Sequence, residues 1–188
     1  RPGEVVVLGG TGFIGKRVLA KLIERGVPVT AVVRRAHSLP PFLIEAARNG
    51  QARLVRGSLE DPSGLREALS GAHCVMQLAT GNGNSWEAVE RAMVKGSVAV
   101  AEVALEQGVK RYVFASTIAA LYLGADRGTT PIADSLDTDP APDGRSLYAR
   151  GKIATEQALT VLHRTKGLPL VILRPGVVLG RGTALQHS

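Results

Sequence analysis

The sequence predicts an α/β fold, a doubly wound parallel sheet with helices on both faces, on three observations. Six short apolar runs, rich in β-branched residues, alternate with segments of helical spacing. That is the pattern of parallel strands joined by crossover helices. The first run passes through a glycine-rich turn directly into a helical segment. The length of 188 residues, with 45% hydrophobic and 21% charged side chains, suits a single globular domain with a sizeable core.

The first strand is read at Val5-Val6-Val7-Leu8, and Phe13, Ile14, Val18, Leu19, Leu22 and Ile23 mark the helix after it. Between them, Gly10, Gly12 and Gly15 meet the G-x-G-x-x-G pattern in the context that gives it meaning, after a strand and opening a helix. The chemistry explains the glycines. A side chain would block a pyrophosphate from the backbone, and the helix start offers unpaired N–H groups and partial positive charge. The stretch Gly9, Gly10, Thr11, Gly12, Phe13, Ile14, Gly15 is therefore the expected dinucleotide cradle. Gly26 closes the helix, and Val27 to Val33 form a second strand with Pro28 at its start. That strand ends in Arg34-Arg35, about twenty positions past the glycine turn, where an acid bonds a ribose 2′-hydroxyl and an arginine accommodates a 2′-phosphate. The acid is missing, so NADP(H) is the preferred cofactor and NAD(H) the second. Arg34 is the first contact and Arg35 the next.

Leu39 to Asn49 reads as a weak helix, Ala52 to Arg56 as the third strand, and another helix starts near Pro62-Ser63 behind the loop of Ser58 and Leu59. His73 to Thr80 is the fourth strand. Its end, Leu78, Ala79 and Thr80, lies where small residues let a cofactor approach. Cys74 is read as a buried core thiol and His73 as a surface or capping residue. After the turn Gly81-Asn82-Gly83-Asn84, a long helix runs from about Ser85 to Gln107. Val109 to Thr117 is the fifth strand, closing on the hydroxyls of Ser116 and Thr117. Residues 124–144, with Pro131, Pro140, Pro142, Asp134, Asp137, Asp139 and Asp143, form a long loop. Ser146 opens a helix to about Arg164, in which Tyr148 and Lys152 stand one turn apart on one face. A lysine there stabilises the tyrosinate and lowers the phenol's pKa, so the tyrosine can exchange a proton with a carbonyl or alcohol. Gly151, inside this helix, predicts close packing against a neighbour. Leu168 to Gly180 supplies the sixth strand and a turn.

In this order the motifs resemble the short-chain dehydrogenase/reductase superfamily, and within it the extended branch that holds epimerases, dehydratases and dihydroflavonol-reductase-like enzymes. The glycine turn GGTGFIG is one mark. Gly57-Ser58-Leu59-Glu60-Asp61 is similar to the family's Gly-Asp-Leu-x-Asp beside the adenine, with Ser58 for the first aspartate. Gln77-Leu78-Ala79-Thr80 is similar to a strand end His-x-Ala-Ala. Met93-Val94-Lys95-Gly96-Ser97 is similar to Asn-Val-x-Gly-Thr, with Met93 in place of the proton-relay asparagine. Phe114-Ala115-Ser116-Thr117, the Tyr148 and Lys152 pair, and Leu173-Arg174-Pro175 running to Gly180 complete the match.

The resemblance implies a Rossmann-like domain and hydride transfer between a nicotinamide and a substrate carbon. Tyr148 is then the general acid/base, and Lys152 its electrostatic partner and a ribose ligand. Thr117, or second Ser116, orients the substrate oxygen, and Pro175, Gly176 and Val177 pass the nicotinamide. Three outcomes stay open: an oxidoreductase, which the arginine pair favours as a carbonyl reductase; a nucleotide-sugar epimerase or dehydratase; or a non-catalytic dinucleotide sensor or scaffold. A small-molecule substrate is implied, as is a homodimer through helices 85–107 and 146–164. Extended members continue into a C-terminal substrate domain, which this chain is expected to lack.

The net charge of +7 would suit nucleic acid, but the basic residues are scattered among acidic ones and aromatics are only 4%. No nucleic-acid partner is expected. No apolar run approaches the eighteen or so residues of a membrane span, and strand residues begin at once after Glu4, so no membrane partner is expected and the compartment is read as cytoplasmic. No metal is expected.

Overall fold

The six apolar runs pair into one sheet in the order β3-β2-β1-β4-β5-β6. The computed structural model describes residues 3–34, 39–122, 132–133 and 136–181; Arg35, Pro131 and Asp134 lie outside them. β1 (Val5–Leu8) sits between β2 (Val29–Val33) and β4 (Cys74–Gln77), with Val6 opposite both Thr30 and Val75. β3 (Ala52–Arg56) and β6 (Leu170–Leu173) are the edges, and β5 (Arg111–Ala115) joins β4 to β6. Every pairing is parallel. This is the doubly wound, Rossmann-like order, in which the winding reverses between β1 and β4. The strands stop short of their apolar runs. Leu78, Ala79 and Thr80 therefore lie past the end of β4, and Ser116 and Thr117 past the end of β5, all on the carboxyl rim.

Alternation along each strand sorts the core into two layers. On one face, α1 (Phe13–Glu24) and α2 (Pro41–Arg48) pack Leu19, Leu43 and Ala46 on Val7, Ala31 and Val33. On the other, α3 (Leu65–Leu69), α5 (Gly96–Glu106) and α6 (Leu147–Lys166) bury Val75, Tyr112, Phe114, Val100, Ala104 and Leu159. Over β4 to β6 on the α1 face, no helix among the described residues covers the alternate side chains, and Met76, Val171 and Leu173 stay partly exposed. Cys74 shares that face. It is half-buried rather than the core thiol expected, and the burial it has raises its pKa.

The long helix after β4 is not uniform. It runs as α4 (Trp86–Val89), a wide π turn (Glu90–Lys95) and then α5. The backbone of Gly81 leans on this turn, so a Cβ there would strike the carbonyl carbon of Ala92. α6 is capped at one end by the Ser146 hydroxyl, which accepts from the Ala149 amide at 3.2 Å. Its other end closes on Gly167 in the left-handed conformation, φ 73°. The packing expected of Gly151 is present: a Cβ there would lie 2.7 Å from Val89 Cγ1 and 2.8 Å from Met93 Sδ. No helix among the described residues is long and apolar enough to cross a membrane. No cluster of three or more His, Cys, Asp or Glu suited to a metal ion occurs among them.

Candidate functional site

The loops after β1 and β4 meet where the winding reverses. Gly9 has φ +81°, and a Cβ on it would lie 2.5 Å from the Ala79 nitrogen. A Cβ on Gly15 would fall on the Gly9 carbonyl oxygen, and one on Gly10 would strike the Leu19 side chain. Gly12 differs: its Cβ would meet only the Gly9 oxygen, at 3.3 Å, and otherwise open space. Gly12 is the N-cap of α1, with no side-chain bond to the helix start and no acid in its first turn. The amides of Phe13, Ile14 and Gly15 thus belong to a first turn with no side-chain cap, beside a cradle that a β carbon at Gly12 would begin to fill. The residues present fit a dinucleotide's pyrophosphate.

Around this cradle, Thr11 and Thr80 are exposed, and Leu78 and Ala79 are half-buried. Arg34 is exposed immediately past β2, on the same rim. Ser58 turns inward on its own loop, its hydroxyl accepting from the amides of Glu60 at 3.2 Å and Asp61 at 3.0 Å. Leu59 is buried against Gly96, whose Cβ would lie 2.6 Å from the Leu59 oxygen.

The hydroxyls and the Tyr148, Lys152 pair converge at the end of β5. Lys152 is 3% exposed and donates from Nζ to the Ala115 carbonyl at 2.6 Å. Its ammonium lies 4.7 Å from the Phe114 ring centre and 5.9 Å from that of Tyr148. Burial pulls its pKa down to about 8, while Glu156 pushes it back up. Tyr148 is 45% exposed, with the Thr117 hydroxyl close enough to favour its ionised form. Its phenol is not lowered as the spacing predicted. Burial raises it, the Thr117 hydroxyl opposes that rise, and Lys152 spends its short contact on Ala115 instead. Thr117 accepts from the Ala119 amide at 3.2 Å. Ser116 is 4% exposed, and its hydroxyl finds no hydrogen-bond partner among the described residues.

β6 delivers the last wall. The Pro175 oxygen accepts from the Ile118 amide at 3.1 Å, tying the Pro175, Gly176 and Val177 stretch to the Thr117 loop, with Gly176 and Val177 exposed. Arg174 clamps Glu156 on α6 through Nε and Nη2, at 2.8 to 3.2 Å, and gives Nη1 to the Leu136 carbonyl at 2.9 Å. Behind the site runs a buried chain in which Tyr112 donates to Gln77, Gln77 donates to Ser97 at 2.6 Å, and Ser97 donates to the Met93 carbonyl at 2.6 Å. Reading the sequence missed the Glu156 clamp, although Glu156 stands one helical turn beyond Lys152, the same step that singled out Tyr148 and Lys152.

The class that this fold and this rim define is a dinucleotide-binding α/β domain with a Thr-Tyr-Lys constellation. The family model of the NAD dependent epimerase/dehydratase family matches residues 5–188, and the chain belongs to that family. It is similar to cinnamoyl-CoA reductase 1 of Arabidopsis thaliana, 30% identical over 181 residues, covering 94% of this chain and 53% of that protein. Among solved structures, it resembles a short-chain dehydrogenase/reductase superfamily protein from Agrobacterium tumefaciens with bound NAD, at 25% identity and TM-score 0.72. That match covers 91% of this chain and 48% of the other. It also resembles UDP-glucose 4-epimerase from Thermotoga maritima with UDP-glucose, at 28% identity and TM-score 0.73, covering 91% and 54%. The chain spans about half the length of the curated relatives it matches.

Proposed function

We propose that the chain is the cofactor-binding and acid/base part of an NADP(H)-dependent oxidoreductase acting on a carbonyl or alcohol carbon. One observation carries the reading: the buried ammonium of Lys152 is fixed one turn from a half-exposed Tyr148, at the strand end that also presents Thr117. When bound, the nicotinamide supplies or accepts the hydride. In reduction, the Tyr148 phenol gives its proton to the substrate oxygen, and Thr117 orients that oxygen. The tyrosinate left behind is a new charge in a partly buried place, and the fixed ammonium of Lys152 compensates it. Ser116, buried and with its hydroxyl finding no hydrogen-bond partner among the described residues, is the second hydroxyl available at the same strand end.

The exposed Arg34 at the end of β2, with no acid in its place, supports NADP(H) over NAD(H). A second reading, a nucleotide-sugar epimerase or dehydratase, uses the same trio, and the likeness to the Thermotoga maritima epimerase favours it. The proposal takes a small molecule as substrate and the cytoplasm as compartment. For a homodimer it takes the layer in which α4 and α5 lie beside α6; sedimentation of a monomer at high concentration would remove that part. The cofactor test is a fluorescence titration of the chain with NADPH and NADH, repeated with Arg34→Ala. Tighter NADPH binding that falls to the NADH value in the variant is expected. Equal affinities in the unaltered chain would refute the preference, and no binding of either would refute the cofactor reading.

A further inference from the structure

We propose that Glu156, clamped by Arg174, is a positioning residue that keeps Lys152 charged and in place for Tyr148. The inference rests on reading Tyr148 and Lys152 as the acid/base pair. Three charged side chains are withdrawn from water together: Lys152 is 3% exposed, Glu156 is 2% exposed, and the Arg174 side chain is 22% exposed. Buried charges persist only where they are paired. Lys152 and Glu156 stand four residues apart on α6, and Arg174 reaches both oxygens of Glu156 from the end of β6. The Nη1 bond to the Leu136 carbonyl fixes the guanidinium from a third direction. The carboxylate is thereby held in one place, as a planar arginine fork holds it best.

Lys152 lies next to the one group in the proposed reaction that becomes an anion, so what holds its charge bears on that step. β5 presents the Ala115 carbonyl and the Phe114 ring, and α6 presents Tyr148 and Glu156. The neighbouring helix meets this turn of α6 through the uncharged side chains of Val89 and Met93. The Glu156 carboxylate opposes the effect of burial on the ammonium, and Arg174 fixes where that carboxylate sits.

The test reads Lys152 directly, by NMR titration of the chain with labelled lysine ε positions, the resonance assigned with Lys152→Met. Glu156→Gln is expected to move the Lys152 midpoint down by about one pH unit, a tenfold change in its ionisation constant. Glu156→Asp, which keeps the charge but shortens its reach, is expected to move it part of the way. It also answers the question if Glu156→Gln fails to fold. A structural role alone would change the unfolding midpoint and leave the Lys152 titration where it was; that result in a folded variant overturns the proposal. NADPH titration of the same samples separates the two readings. Loss of cofactor binding in the unaltered chain, with the Lys152 shift intact, counts against the cofactor assignment alone.

Discussion

Gly151→Ala tests how α6 is seated, and its effect can be worked from the contacts. Alanine is favoured over glycine inside a helix by about 1 kcal/mol. The added methyl would stand 2.7 Å from Val89 Cγ1, 2.8 Å from Met93 Sδ and 3.2 Å from Met93 Cε, well inside contact distance. Overpacking of this kind costs about 1–3 kcal/mol, and the atoms in the way are ends of side chains, one of them a pliable thioether. The expected net change is a loss of about 1 kcal/mol. Met93→Ala alone empties a fully buried site and costs about 2–5 kcal/mol. In the double variant the methyl occupies part of the space that Met93 leaves. The pair should then be less destabilised than the sum, with a coupling of about 1–2 kcal/mol. Urea unfolding followed by Trp86, the single tryptophan, reads all four corners of the cycle from the start of α4. If Gly151→Ala proves more stable than the original by the whole helix-propensity gain, or if the two changes simply add, the contact with Met93 is not what requires glycine.

Lys152→Met has a pH signature. The folded-state pKa of about 8 lies below the ordinary lysine value of 10.5, so the unfolded chain binds this proton more readily and the group's penalty is fully present below pH 8. The variant should gain about 1–2 kcal/mol at pH 7, discounted from the full shift for the lost Ala115 bond. The gain should fade as pH rises from about 8 to 10.5, which urea midpoints at pH 7 and pH 10 will show; a variant less stable at pH 7 would refute the reasoning. Gln77→Leu strands the Tyr112 hydroxyl and breaks the link to Ser97 in a fully buried chain. It should cost about 2–4 kcal/mol by the same unfolding assay, and a loss under 1 kcal/mol would mean that the chain contributes little.

The doubly wound parallel sheet and the strand–turn–helix of the glycine motif were legible because they follow from local rules. A β-branched run followed by Gly-x-Gly-x-x-Gly admits few conformations, and six such runs joined by helices leave one sheet to build. The Tyr148 to Lys152 spacing was legible for the same reason, since four residues on a helix is a distance. What the spacing does not contain is competition for the ammonium. The Ala115 carbonyl, 37 residues away in the chain, takes the short contact that the lysine was expected to turn toward the phenol. What resemblance does not contain for Ser58, which it sets beside the adenine, is the local pairing of its hydroxyl, which accepts from the amides two and three residues on. Cys74 was misplaced because an apolar run does not say which of its two faces a helix covers. The π turn left no trace in composition, and the Arg174 clamp required knowing that the end of β6 passes the third turn of α6.

The glycine turn has a consequence for how nucleotide-binding ability would be lost by descent. Three of its four glycines answer to the protein itself. Gly9 is held by the backbone of Ala79, Gly10 by Leu19, and Gly15 by the Gly9 carbonyl. A descendant that no longer bound a nucleotide would still be compelled to retain them, and the motif would outlive its ligand. Gly12 alone faces open space, restrained by little more than one oxygen. It is the position free to drift once the phosphate is gone. Among close kin of this chain, a side chain at that one site, with the other three glycines in place, would be the mark of a domain that has kept its shape and given up its cofactor.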